Sequence, residues 1–369
     1  MLYCDSPSSG GFEQLVGRLA NVLASAGHDV ELLYWHEKLG ALADHPALRK
    51  TRIETPTKGP LSFVRAFYPP ALWRLARELR ARRGDLLVIC QGTIEIGARA
   101  LIAARLLNMP TVSYLAFAFD LRAIGARLGA LREVVDGLFY RLPRRFIALS
   151  EFQRELVQRR VHAPTRVIPM VIPRVAAGTE RQDRGTERIL ELGVVGTVSF
   201  ATKGHDVLPE LSVALERRGT RARIHVVGDG PDLPRLRRLI AEQNLTDRFV
   251  IHGLLPYGAP REMMQWFDVL LIPSRFEGAV PLVGFEALAA GTPIATSLLP
   301  STRDWHIPRE IQFDRDSPKE IMRAIDAALR LRASPDFAPF CTRMLDTVTE
   351  ELFARTALEV FAELLEAVR

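Results

Sequence analysis

The stretch from Ser274 to Pro293 reads S-R-F-E-G-A-V-P-L-V-G-F-E-A-L-A-A-G-T-P and carries one carboxylate on Glu277 and a second on Glu286. An apolar run ends just ahead of it at Ile272-Pro273, and Pro281-Leu282 reads as a helix start. Parallel sheets place ligands at the carboxyl ends of their strands. A helix that begins there points free N–H groups at the ligand and favours an anion. Its dipole supplies only about 0.3–1 kcal/mol, so a diphosphate needs further partners. Two carboxylates beside phosphate alone are unfavourable. They fit if they accept hydrogen bonds from the hydroxyls of a sugar and a ribose. Asp314-Arg315-Asp316 looks like a metal-binding pair of acids, but it runs into Ser317-Pro318-Lys319-Glu320 and reads as a helix start with a capping box. His205, His225 and His252 fall on separate elements without metal-ligand spacing.

Two series of strands alternating with helices position these residues. The first has strands at Leu2-Tyr3, Val30–Tyr34, Asp85–Cys90, Thr111–Leu115 and Arg145–Ser150, and closes with Val167–Pro173. Helices lie between them, one with Leu15, Leu19, Val22 and Leu23 at helical spacing. Ser150 is a candidate cap for the helix that follows. Residues 174–188 are polar, almost without apolar content, and read as a linker. The second series has strands at Leu190–Val195, Arg223–Val227, 248–251, 269–272 and 293–296, with a helix from about 318. Residues 348–369 form one more amphipathic helix. This rhythm predicts two doubly wound parallel sheets. The domains expected are 1–172, 186–345 and a final helix within 346–369 that packs back on the first.

Bulk properties agree. A chain of 369 residues with 48% hydrophobic and 25% charged residues is globular and too long for one comfortable core. Cys4, Cys90 and Cys341 form no C-x-x-C pair, no leader-like start precedes the first strand, and no run of eighteen apolar residues occurs. A cytoplasmic setting is the expectation. Residues 1–172 carry 24 Lys+Arg against 15 Asp+Glu, and residues 173–369 carry 25 against 28. The basic first half is predicted to meet something anionic.

The segment around Glu277 and Glu286 resembles the signature of the retaining glycosyltransferases of family 4, which have the GT-B architecture of two Rossmann-like domains facing across a cleft. The resemblance implies that Glu277 contacts donor-sugar hydroxyls, Glu286 the ribose, and the backbone of Val280, Pro281, Leu282, Val283 and Gly284 the diphosphate of a nucleotide sugar. Further segments follow the family in order. Gly10-Gly11 with Glu13 is similar to its first-loop glycines. Gly193–Thr197 followed by Lys203-Gly204 resembles its phosphate site, with Lys203 as the cation. His252-Gly253 stands where the backbone meets the base. Three departures show. Eight residues rather than seven separate the two glutamates, Thr197 replaces the usual Arg, and Ser113–Asp120 lacks a His found near the reaction centre in relatives. Asp120 or Glu95 is left to position the acceptor hydroxyl.

The implied reaction moves a sugar to an acceptor hydroxyl with retention, in surface polysaccharide or glycolipid assembly, and needs neither metal nor other cofactor. The leaving phosphate oxygen takes the acceptor proton, so catalysis is positioning and charge stabilisation. The acceptor is a sugar or lipid-linked saccharide. A catalytically silent GT-B scaffold that binds sugar nucleotides is the alternative. An NAD-dependent dehydrogenase is disfavoured because no Gly-x-Gly-x-x-Gly follows the first strand. Pro70–Arg83 and Leu121–Arg145 are basic amphipathic segments. Either they provide peripheral membrane contact or they face the core with a solvated basic side, and the sequence favours the second. No recognition motif for nucleic acid appears.

Overall fold

The structure is a computed structural model that describes residues 1–6, 10–53, 62–82, 84–122, 126, 128–172, 189–256, 258–277 and 281–368. The predicted linker at 174–188 lies wholly outside them, as does Val280. The chain divides into two compact units, Met1–Val171 with Glu350–Arg369, and Ile172–Thr349.

The first unit holds seven strands: β1 (Leu2–Cys4), β2 (Glu31–Tyr34), β3 (Arg49–Arg52), β4 (Leu87–Thr93), β5 (Thr111–Phe117), β6 (Arg145–Ala148) and β7 (Thr165–Val167). All pair in parallel, in the order β3-β2-β1-β4-β5-β6-β7. The second unit holds β8 (Leu190–Val195), β9 (Ala222–Val227), β10 (Phe249–Gly253), β11 (Val269–Ile272), β12 (Ile294–Ser297) and β13 (Gln312–Phe313). These too are parallel, in the order β10-β9-β8-β11-β12-β13. Both sheets therefore reverse their strand order once, between β1 and β4 and between β8 and β11. Such a reversal leaves a crevice at the carboxyl ends of the two central strands.

Local chemistry accounts for most of these elements. β4 and β5 are apolar without alternation because helices cover both faces, and Leu87–Cys90 and Val112–Ala116 are buried. Ser150 caps the helix Glu151–Arg160 by accepting from the Gln153 N–H at 3.2 Å. Ser317 caps Pro318–Ala333 in the same way, from Glu320 N–H at 3.3 Å. The adjoining Asp314-Arg315-Asp316 folds as the entry to that helix: Asp316 N–H donates to Asp314 Oδ1, and Arg315 pairs with Asp316.

Three features depart from the sequence reading. β3, Arg-Lys-Thr-Arg, has no apolar residue to mark it. It is an edge strand whose charges face solvent, a placement that also discourages edge-to-edge association. The helices Glu37–Leu42 and Phe337–Leu345 and the two-residue β13 are likewise additions. Most important, the two basic segments behave differently. Helix Pro69–Ala81 buries Leu75, Ala76 and Leu79 beneath an exposed basic side, as the core-facing reading requires. Leu121–Arg145 does so only in part. Its helix runs only from Gly129 to Phe139, buries Asp136 and exposes Leu131, Val134 and Leu138. Phe139 joins the core with Val135 packed against it, so the core-facing reading holds for these two, while ion pairs from Arg132 and Glu133 take the rest of the inner side.

The last helix, Glu350–Glu366, buries Phe353, Ala357, Val360, Phe361 and Leu364 within the first unit, where it contacts the helix Gly11–Ser25. Phe353 is only 2% exposed. Phe353→Ala is expected to cost about 3–5 kcal/mol, measured by urea unfolding. An unchanged midpoint would show that this helix does not support the first unit.

Candidate functional site

In the second unit, the loops after β8 and β11 meet at the point where strand order reverses. The two strands are paired through Val269 opposite Leu192 and Leu270 opposite Gly193. From β8 the chain runs through Gly196 and the exposed Thr197 into a turn in which the Lys203 and Gly204 N–H groups both donate to the Ser199 carbonyl. Gly204 has φ +71°, and a Cβ there would lie 1.9 Å from the Pro273 carbonyl oxygen, so the residue must be glycine for the loops to touch. The Arg275 and Phe276 N–H groups return the contact by donating to the Thr202 carbonyl.

This packing delivers Lys203 to Glu277. Lys203 Nζ donates to Glu277 Oε1 at 2.5 Å, and Ser274 Oγ donates to the same oxygen at 2.6 Å. Glu277 is buried, whereas the Lys203 side chain keeps about a third of its surface in solvent. Ser297, at the end of β12, fixes the loop from below through its hydroxyl, which donates to the Ser274 carbonyl. Arg315 is 8% exposed and braces the loop by donating to the Pro273 carbonyl and to Asp206. Burial raises the Asp206 carboxyl, but the Arg275 hydrogen bond and the charges of Arg315 and Arg275 outweigh it, leaving its pKa below the ordinary value. Burial also drives the neighbouring His205 imidazole down to about 4. It therefore sits neutral beneath the Lys203 loop.

Pro281 opens the helix Leu282–Ala289 with no side-chain cap. Gly284 N–H donates to the Pro281 carbonyl, which leaves the N–H groups of Leu282 and Val283 as the donors that this helix start offers an anion. Phe285, Ala287 and Leu288 are buried, and the helix contacts β11 and β12. That leaves Glu286 on another side, where Arg261 Nη2 donates to its Oε1 at 2.6 Å. Both side chains are about four-fifths buried. Arg261, Ser274 and Arg315 were not singled out from the sequence: no local spacing links residue 261 to 286 or 315 to 273.

The loops after β8, β9 and β10 are joined through backbone bonds, with Gly196 N–H donating to Val227 and Gly228 N–H to Gly253. His252, on β10, lies 3.0 Å through Nε2 from Nδ1 of His225, whose Nε2 is 2.7 Å from Glu191 Oε2. Burial, and secondarily the neighbouring His225, lower the His252 pKa. Among the described residues no group of three or more His, Cys, Asp or Glu is arranged to hold a metal ion.

The first unit carries the remaining candidates at its own reversal. Gly10 precedes the helix Gly11–Ser25, and its N–H donates to Glu13 Oε2 at 2.6 Å while the Ser6 hydroxyl donates to the other oxygen. Beyond β4, Glu95 is buried and held by both nitrogens of a fork from Arg132, at 2.7 and 2.5 Å. The buried Gln91 fixes the same turn by donating to the Ile94 and Ile96 carbonyls. Asp120 lies on the surface, paired with Arg122.

Residues 9–173 match the family model described as Glycosyltransferase Family 4, and residues 184–338 match Glycosyl transferases group 1. Among curated relatives, the 2-deoxystreptamine N-acetyl-D-glucosaminyltransferase of Streptomyces fradiae is 42% identical over 81 residues, covering 21% of this chain and 18% of the relative. The putative colanic acid biosynthesis glycosyltransferase WcaL of Escherichia coli strain K12 is 27% identical over 311 residues, covering 79% of this chain and 66% of the relative. The chain thus spans less than a fifth of the first relative's length and just under two thirds of the second's. Among solved structures, Anabaena Alr3699/HepE in complex with UDP-glucose aligns over 98% of both chains at 15% identity with a TM-score of 0.75.

Two outcomes test the site's construction. Gly204→Ala is expected to cost more than about 3 kcal/mol, from left-handed strain together with the clash on Pro273; melting alongside wild type would refute the loop contact. His205 stays neutral when folded but takes a proton near its ordinary pKa of about 6.5 when unfolded. Its share of stability is therefore complete above that pH and is lost as pH falls from about 6.5 to 4, by about 3 kcal/mol. His205→Gln should flatten the pH dependence of the unfolding free energy over that window. Two parallel sheets of Rossmann type, with a glycosyltransferase family model matched in each half, give this chain the GT-B fold.

Proposed function

We propose that the chain transfers a sugar from a nucleoside-diphosphate sugar to an acceptor hydroxyl with retention of anomeric configuration, in the assembly of a surface polysaccharide or glycolipid. The observation that carries this reading is the Lys203–Glu277 pair at the β8/β11 reversal, beside the uncapped start of the helix Leu282–Ala289. An ammonium and the N–H groups of Leu282 and Val283 suit a diphosphate. Glu277 suits the hydroxyls of the donor sugar and Glu286 those of the ribose. Lys203 and the backbone of Pro281–Gly284 supply the positive field at the leaving group, so the reading requires no metal ion. His252-Gly253 borders the base.

The acceptor side falls to the first unit, with Gly10-Gly11, Glu95 and Arg132 grouped around its strand reversal. The doubly hydrogen-bonded Glu95–Arg132 pair, with Glu95 buried, is better fixed for positioning than the half-buried Asp120. Chemistry then rests on alignment and charge stabilisation, and the departing phosphate oxygen accepts the proton from the attacking hydroxyl. Relatives that are a 2-deoxystreptamine N-acetyl-D-glucosaminyltransferase and a putative colanic acid biosynthesis glycosyltransferase support sugar transfer, and HepE was crystallised in complex with UDP-glucose. A silent sugar-nucleotide-binding scaffold is the second reading, favoured by the uncharged Thr197 where an arginine is usual.

A thermal-shift panel with UDP, GDP, dTDP, ADP and NAD tests the donor assignment. One nucleoside diphosphate is expected to stabilise wild type by about 2.7 kcal/mol at a hundredfold excess over its dissociation constant, and Glu286→Ala should lose most of that shift. A response to NAD alone, or equal shifts in both proteins, would contradict the assignment. Release of the diphosphate from a donor sugar in the presence of acceptor separates the enzyme from the scaffold.

A further inference from the structure

Helix Gly129–Phe139 turns inward not only Phe139 and, in part, Val135 but also its ionisable residues. Asp136 is buried, Arg132 holds Glu95, and Glu133 accepts from Arg160 at 2.7 Å and from the Leu121 N–H. Its apolar Leu131, Val134 and Leu138, one helical stripe, are 54%, 69% and 53% exposed. The short helix Ser62–Arg65 contacts the same helix, and Phe67 stacks on its buried Phe139 at 5.7 Å. Val64, Phe67 and Tyr68 are themselves about half exposed. Tyr68 leads into helix Pro69–Ala81, whose outer side presents Trp73, 72% exposed, among the exposed Arg74, Arg77 and Arg80.

A soluble domain seldom leaves this much apolar surface to water without a use for it. We propose that this face of the first unit docks on a lipid bilayer carrying anionic headgroups. Charge decides the occupant. Phe67, Tyr68 and Trp73 are the side chains that settle at a headgroup boundary, and Arg65, Arg74, Arg77 and Arg80 flank them with positive charge. The part of the chain that bears them, residues 1–172, has nine more basic than acidic residues. Among the described residues no helix is long and apolar enough to cross a membrane, so the contact lies along the surface. The inward ion pairs of Arg132 with Glu95 and of Glu133 with Arg160 commit those two side chains of the helix to the interior, and its stripe of Leu131, Val134 and Leu138 faces out. Docking does not depend on the donor site, and its test needs no turnover.

The full chain is sedimented with vesicles of phosphatidylcholine alone and with vesicles enriched in phosphatidylglycerol, at low and high salt. Wild type is expected to bind the anionic vesicles, to release in high salt, and to shift its tryptophan emission to the blue as Trp73 leaves water. Leu131→Ser with Val134→Ser and Leu138→Ser should weaken binding roughly tenfold or more. Arg74→Glu with Arg77→Glu should abolish the preference for anionic vesicles. All these positions are exposed, so near-ultraviolet circular dichroism should match wild type. Failure of wild type to bind either vesicle overturns the proposal, as does undiminished binding by the folded serine variant. A wild-type dimer in light scattering that the serine variant dissociates, without vesicle binding, would assign the face to self-association instead.

Discussion

The contact between Lys203 and Glu277 is the constraint around which the second unit's functional end is built. It joins the loop leaving β8 to the loop leaving β11 where strand order reverses. To bring those loops together Gly204 adopts a left-handed backbone against Pro273, Ser274 shares the carboxylate, Ser297 holds Ser274, and Arg315 braces Pro273 from within. Each of these residues is otherwise an odd choice: a buried arginine, a buried glutamate, a glycine with no room for a methyl group. Together they hold one cation and one carboxylate beside a helix end that lacks a cap. Burying a charged pair is rarely the most stabilising use of space, which favours a functional reason for its presence.

Much of this end was legible in the sequence because its parts are contiguous. A strand end, two carboxylates and a helix start fall within twenty residues, and Ser150 and Ser317 marked their helices through a single hydrogen bond each. What stayed hidden depends on distance along the chain. Lys203 and Glu277 are 74 residues apart and Arg261 and Glu286 are 25 apart, so no local pattern announces either pair. β3 was hidden for another reason. An edge strand can consist of charges alone, because only its backbone needs a partner.

The first unit shows another case, a pattern that is visible but only partly followed. Apolar residues at helical spacing in Leu121–Arg145 suggested a helix facing the core, since burying the apolar side is the usual outcome. Phe139 and Val135 follow that outcome, but Glu95 and Arg160 supply partners for Arg132 and Glu133 beside them on the inner side. Satisfied ion pairs inside free the apolar stripe to face out, where it meets Val64, Phe67 and Tyr68 to form a surface with its own use. The same Glu95–Arg132 fork thus stands between the first unit's strand reversal and its exposed apolar face.

The most direct test of the central claim is calorimetric titration of wild type and Lys203→Met with a nucleoside diphosphate and with the matching nucleoside. If the switch-point pair serves a diphosphate, the diphosphate binds wild type far more tightly than the nucleoside does, and Lys203→Met removes most of that difference while leaving nucleoside affinity unchanged. Equal affinity for the two ligands, or a diphosphate affinity indifferent to Lys203, would contradict the account.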